Sequence, residues 1–498
     1  DTRAYSDARC RLATKVTDAN GNYATTEYDG FCRKVRETAW TSDGSRAKQT
    51  TFALDNVDTG SNPNGRNAAA ESYRLVTTNS DGGQSITYYD NLQRTVRARA
   101  KAFDGSFSES RTVFDAYGRQ TSTTKPASSG TTSGTATTSY EYDTLGRVVK
   151  ETLPDTVNFV RTEYAGLVTR VIRTNSTGTV GGSIQPHVSL KTANAKGMVA
   201  TVETGYRTTA DQLATQTIQT TISNYYDVLG NLTRVTTPGA NNSVLSKNMT
   251  YDLRGRQTGL SDPDAGSYTY TYNGVGEQTS QSDSRGYVTY TSYDSLGRKA
   301  KRREGDAVVG QPGSAIAGGV LTQWTYDCAN ALGLLCTVTY DGTGGSGNFT
   351  SKATTYDRYS RPVGTTTRID GKDFSSQIAY DALGRPRYAV YPQATSSVAP
   401  LAIETRYNAA GYADQTRHAV TGFIYQTITA RNSDGQLNQA SLAGTLLTQG
   451  NSYGSDGLAR IAQISVTGGA TLSQGFGFDS IGNLKSRSMG GTRTESED

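Results

Sequence analysis

Two carboxylates stand close together in Asp262-Pro263-Asp264-Ala265-Gly266, the kind of pair in which acid–base chemistry would first be sought. Such pairs work across a cleft that holds a substrate between them. A Pro-containing run ending in Gly is more simply a turn between strands. Asp18-Ala19-Asn20-Gly21-Asn22 supplies the first three ligand types of a calcium loop, but its Gly stands at the wrong step and no helices flank it. Nucleophilic catalysis is no better served. The chain has two histidines, His187 and His418, far apart in sequence. It has no Gly-x-Ser-x-Gly, His-Glu-x-x-His or Gly-x-x-x-x-Gly-Lys-Ser/Thr motif. The expectation is therefore no catalytic, cofactor-binding or metal-binding residues, and no cofactor. Cys10 and Cys32, and Cys328 and Cys336, form two local pairs around turn-like segments. This points to disulfides and an oxidising compartment. Zinc fits poorly, since no pair is Cys-x-x-Cys and neither His is near a Cys.

The elements that would position such residues come from a phrase repeated along the chain: Tyr-Asp, two residues, Gly-Arg. It is complete at Tyr142-Asp143-Thr144-Leu145-Gly146-Arg147, Tyr251-Asp252-Leu253-Arg254-Gly255-Arg256, Tyr293-Asp294-Ser295-Leu296-Gly297-Arg298 and Tyr380-Asp381-Ala382-Leu383-Gly384-Arg385. Worn copies begin at Tyr28, Tyr89, Phe114, Tyr226, Tyr272, Tyr326, Tyr356, Tyr407 and Phe478. The phrase reads as a strand end, a tight turn and the start of the return strand. The Asp carboxylate can accept from backbone N–H groups two residues on, and Gly can take the left-handed conformation that closes a longer hairpin loop. The Arg is expected to pair with an Asp of an adjacent turn, and Cys32, Gln93 and Ser360 at the Gly position suggest that the turns vary. Tyr251, Tyr272 and Tyr293 stand 21 residues apart. That length holds two short strands and two turns and leaves no room for a crossover helix, so the strands should be antiparallel and sequential.

With 498 residues, the chain is long for one ordinary core, a limit that a repeat array escapes because each unit contacts mainly its neighbours. Hydrophobic residues make up only 34%, but 31 Tyr against 11 Pro, with the turn spacing kept, argue against disorder. Tyrosine suits a thin wall in which a ring is half-buried while its hydroxyl finds a polar partner. The net charge of +5 is spread without a sustained basic stripe, so nucleic acid is not an expected partner, and no run is apolar enough for a membrane span. Residues 1–498 read as one continuous array, a piece of something longer, with a longer insertion at 55–70, loops at 128–138 and 308–319, and degenerate repeats over 156–223.

Repeats of the form Gly-x(5–9)-Tyr-x-Tyr-Asp-x-x-Gly-Arg, with Asp262-Pro263-Asp264-Ala265-Gly266-Ser267-Tyr268-Thr269-Tyr270-Thr271-Tyr272, resemble the YD-repeat (RHS) family over nearly the whole chain. That family includes bacterial Rhs polymorphic toxins, toxin-complex B/C components and teneurins. The resemblance implies an all-β fold, an antiparallel YD-repeat hairpin array forming a spiralling β-sheet shell. It also implies a function: a secreted, non-catalytic bacterial shell that encapsulates a C-terminal toxin domain lying beyond Asp498. Family members carry an Asp-Pro-x-Gly type motif in the cleavage region at the end of the core. Asp262-Pro263 lies mid-array and is followed by Asp-Ala-Gly, so cleavage is not carried over. The alternative is a cell-surface adhesion or glycan-binding protein, with exposed tyrosines stacking on sugars. Further expected partners are secretion machinery or cell-surface glycans.

Overall fold

The computed structural model describes residues 3–56, 71–129, 136–156, 158–180, 183–207, 216–305, 320–341, 351–393, 398–454, 458–469, 471–478, 483–490 and 493–496. The fold is all-β. Among the described residues 40 strands pair antiparallel, nearly all with their neighbours in the chain, with no α-helix and one short 3-10 turn at Ala240–Asn242. The exception is Ala127–Ser128, which pairs with Phe107–Phe114 while Gln120–Thr124 pairs with Thr137–Tyr142. The sheet is not closed into a barrel: Arg3–Ser6 at one end pairs with Ala13–Thr17, and Arg493–Ser496 at the other pairs with Leu484–Met489. Of the expected insertion at 55–70 and loops at 128–138 and 308–319, residues 57–70, 130–135 and 308–319 lie outside the described residues, as does most of the last worn copy, 479–482. Of the described ends, 55–56, 128 and 137–138 are strand.

The strands form where Tyr, Thr and Val alternate, because successive side chains on a strand point to opposite faces. Gly266–Tyr272 shows the pattern: Tyr268, Tyr270 and Tyr272 are half-buried on one face, and Ser267, Thr269 and Thr271 are exposed on the other. On the exposed face the hydroxyls link across strands, as between Thr271 and Thr279 at 3.0 Å. Over 156–223, where the repeat phrase fades, strands continue as Phe159–Ala165, Val168–Val180, Ser183–Ala193, Val199–Arg207 and Gln216–Tyr226.

The chain divides into two compact units. One comprises Asp1–Arg161, Asn175–Thr177 and Gln377–Asp498; the other comprises Thr162–Thr174 and Gly178–Ser376. The second unit holds an apolar core, in which Ile172, Val188 and Leu190 pack with Val168 and Ile218. It lies within the degenerate stretch. Burial in the first unit is largely polar: Arg97, Glu109 and Glu404 are all buried, beside Tyr88 and Ala440.

Candidate functional site

The repeated turn has one recurring hydrogen-bond geometry. In Tyr142–Arg147 the Asp143 Oδ1 accepts from the N–H groups of Leu145 and Arg147, both at 2.9 Å, and Oδ2 accepts from Arg147 Nε at 2.7 Å. Gly146 N–H donates to Asp143 O at 3.0 Å, and Gly146 sits at φ 79°. This is a type I turn followed by a left-handed residue, which closes a three-residue hairpin loop. Asp252 with Arg254 and Arg256, Asp294 with Leu296 and Arg298, and Asp381 with Leu383 and Arg385 repeat it. Their glycines, Gly255, Gly297 and Gly384, have φ 77°, 76° and 81°. The two acidic runs weighed for chemistry are turns as well. Asp18 Oδ1 accepts from the N–H groups of Asn20 and Asn22, and Asp262 Oδ1 from those of Asp264 and Ala265.

Two sequence expectations are corrected. The turns lacking Gly do not vary: Cys32, Gln93 and Ser360 hold φ 62°, 63° and 60° and keep the same backbone bond to the turn's Asp. The capping carboxylate and the strand pairing outweigh the strain of a side chain in the left-handed region. The Arg, in turn, pairs with the Asp of its own turn rather than that of the next. Arg298 does both, and its partner in the next turn is Asp327, at 3.0 and 2.7 Å. That next turn is enlarged and closed by the Cys328–Cys336 disulfide; Cys10 and Cys32 form the other bond. The Arg298 hydrogen bonds and the Gly333 N–H hold the Asp327 carboxyl down to about 2.

Each turn also seats the next one. The Tyr of a repeat sends its hydroxyl back to the carbonyl of the residue after the preceding Arg: Tyr142 to Gln120 O at 2.6 Å, Tyr272 to Gln257 O at 2.7 Å and Tyr407 to Pro386 O at 2.7 Å. That preceding Arg lies over the same ring, Arg119 at 4.7 Å from the Tyr142 centroid, Arg256 at 4.8 Å from Tyr272 and Arg385 at 4.0 Å from Tyr407. The ring thus satisfies its hydroxyl and gains a cation–π contact. At this aromatic the strand register slips by one residue, for example at Tyr142, Tyr251, Tyr272, Tyr293, Tyr326, Tyr356, Tyr380 and Tyr407. A bulge bends its strand and raises the local twist. It recurs at the same point of each of these repeats. Sequence reasoning placed the turn but missed the bulge and the hydroxyl seat.

The left-handed Gly gives a direct expectation. A Cβ on Gly297 would lie 2.9 Å from Glu277 Oε1. Gly297→Val should lower unfolding stability by about 1 kcal/mol or more. Chemical denaturation of the variant beside the parent checks this, and unchanged stability would contradict the turn geometry.

Three buried charge clusters reinforce the sheet. Glu109 accepts from Arg111 at 3.0 and 2.8 Å and faces Arg97 at 3.6 Å and Arg99 at 3.7 Å. Arg97 lies 3.6 Å over the Tyr88 ring and pairs with Glu71 at 2.8 Å. Glu163 binds Arg170 and Arg207 at 2.8 and 3.1 Å, and Glu404 binds Arg387 and Arg417 at 3.1 and 2.6 Å. Burial alone would raise these three carboxyls, but the arginines more than offset it and hold each below its ordinary value. The turn carboxyls Asp143, Asp252 and Asp294 are also lowered, first by the N–H of the turn Arg. A carboxyl depressed in the folded state stabilises above its unfolded pKa, and that stability is lost as pH falls through the folded value. The melting temperature should stay level from neutral pH to about 5, then drop steeply between about pH 4 and 2. A thermal melt series in pH checks this, and a loss already complete above pH 5 would contradict it.

Within the first unit, residues some 300 positions apart meet. Asn408 Nδ2 donates to Phe103 O at 2.8 Å, Tyr412 OH to Lys101 O at 2.8 Å and Ser108 Oγ to Ser433 O at 2.9 Å. The turn ending at Gly411 also lies against Asp81 and Gly82. His187 packs edge-on to Tyr206, and burial, then Arg173, lowers its pKa. His418 Nδ1 accepts from the N–H groups of Val420 and Thr421. Among the described residues no group of three or more His, Cys, Asp and Glu could hold a metal ion.

No family model matches the sequence, and no curated protein does. Solved structures do match. The crystal structure of TcdB2-TccC3-Cdc42 aligns with 100% of this chain and 30% of its own at TM-score 0.74 and 14% identity. TcdB2-TccC3 without its hypervariable C-terminal region aligns with 98% of this chain and 30% of its own at TM-score 0.75 and 13% identity. The Photorhabdus luminescens Tc holotoxin pore aligns with 100% of this chain and 29% of its own at TM-score 0.76 and 14% identity. The likeness is one of fold: this chain has the all-β fold of TcdB2-TccC3 and spans about 30% of the solved chains it matches.

Proposed function

We propose that residues 1–498 are a stretch of wall from a secreted bacterial YD-repeat shell, which encloses and helps deliver a C-terminal toxin domain outside this segment. The observation that carries the reading is the likeness of fold over 98–100% of this chain to TcdB2-TccC3 structures, at TM-scores of 0.68 to 0.75. The physics of the repeat supports it. Each turn clamps the next, and a bulge of the same kind recurs along the array, which needs no thick apolar core. The segment reads as non-catalytic, since the carboxylates of its repeated turns are spent on capping backbone N–H groups and pairing arginine. The two disulfides favour an oxidising compartment, and hence secretion or the cell surface.

Limited proteolysis of the natively purified full-length protein tests this. The region after residue 498 should resist a protease that digests it at once when it is produced alone. Equal cleavage rates in the two settings would overturn the reading.

A further inference from the structure

We propose that the first unit carries an oxyanion-binding site where the strand Thr95–Lys101 meets the turn at 432–435, a site independent of the shell reading. A cavity of about 350 Å³ opens there, lined among others by Arg99, Lys101, Arg431, Ser85 and Ser108. Three cationic side chains thus face one space. Two carboxylates also border it, Glu109 and Asp434. Glu109 is already engaged, Oε1 by Arg111 and Oε2 by Ser129 Oγ at 3.2 Å. Asp434 is exposed on its turn.

The cations are incompletely used. Arg431 donates Nη1 to Gly435 O at 2.8 Å and rests 5.7 Å from the Phe103 ring centroid, but its buried Nε–H has no hydrogen-bond acceptor. Arg99 donates Nη1 to the Tyr88 hydroxyl at a long 3.4 Å, and its Nε, 3.7 Å from Glu109, is likewise buried without an acceptor. Lys101 Nζ reaches only Gly82 O, at 3.4 Å. The guanidinium heads of Arg99 and Arg431 and the Lys101 ammonium thus keep donor capacity beyond the bonds the protein supplies, and all three residues line the cavity. The group that best meets two guanidinium edges and an ammonium is a planar or tetrahedral oxyanion, through charge-assisted hydrogen bonds. Its class is phosphate, sulfate or carboxylate, and the volume leaves room for a substituent on that head. A bound anion would also bridge segments more than 300 residues apart in sequence, adding to the Ser108–Ser433 and Tyr412–Lys101 contacts.

Calorimetric titration of the purified protein with inorganic phosphate, sulfate and acetate, each against chloride at equal ionic strength, tests the site. Saturable binding is expected from at least one of them. Phosphate or sulfate alone marks a tetrahedral ligand, and acetate binding marks a carboxylate. Arg431→Met and Lys101→Met, singly, should each weaken binding by about tenfold or more, with unchanged far-UV circular dichroism as the folding check. No saturable heat from any of the three anions on the unmodified protein overturns the proposal, and so does binding that both folded variants retain in full.

Discussion

Glu109→Ala should lower the stability of the first unit by about 3–5 kcal/mol, the scale seen when one partner of a buried ion group is removed. The carboxylate is buried and serves Arg111, Arg97 and Arg99 together. Without it Arg97, itself buried, loses one of its carboxylate partners, while Arg99 and Arg111 add uncompensated charge beside it. The matched control is Glu27→Ala. Glu27 pairs with Arg36 at 3.0 Å on the open surface, where an ion pair is worth about 0–1 kcal/mol. Urea denaturation followed by tyrosine fluorescence reads both. A Glu109→Ala loss no larger than that of Glu27→Ala would mean that the cluster is not a stabilising centre.

Gly82→Ala should be nearly as damaging, for a different reason. Gly82 has φ 95°, and a Cβ there would lie 2.2 Å from Ala409 O, a backbone atom that cannot rotate away. The opposing Gly411, φ 89°, would place a Cβ 3.0 Å from Asp81 O. The left-handed strain costs about 1 kcal/mol and the overpacking about 1–3 kcal/mol, so a loss of about 2–4 kcal/mol is expected. Faster hydrogen exchange should follow in both turns, at Gly82 and at Gly411. Gly105→Ala separates the two terms, because Gly105 has φ 84° but open space where its Cβ would stand. It should lose only the strain. Equal losses in the two variants would show that the contact between the 79–83 and 408–412 turns contributes nothing.

The turn was legible in the sequence because its determinants are local. An Asp that caps, a Gly that turns left-handed and an Arg that pairs four residues on leave a signature within six positions. The antiparallel fold followed from the repeat spacing. The bulge at the aromatic was less accessible, since it depends on how two strands of unequal count pair across the turn. Gln93 and Ser360 looked like exceptions because residue preference at that site is weaker than the capping and pairing that impose its geometry. Asn194-Ala195-Lys196-Gly197 lacks the Tyr and Arg of the phrase, yet Asn194 Oδ1 accepts from the N–H groups of Lys196 and Met198 as the aspartates do. The buried clusters around Glu109, Glu163 and Glu404 have no sequence signature, since charged residues that meet across strands look like any others. The meeting of Gly82 with Ala409 left only a faint trace, two alanines in a turn tip where many other copies carry Leu, Val, Phe or Tyr.

Electron microscopy of the natively purified full-length particle tests most directly whether this repeat array is container wall. A closed hollow shell with diffuse density inside is the expected result. A solid rod, or an open sheet with no enclosed volume, would contradict it and turn attention to the exposed tyrosines Tyr117, Tyr287 and Tyr391 as an adhesive surface.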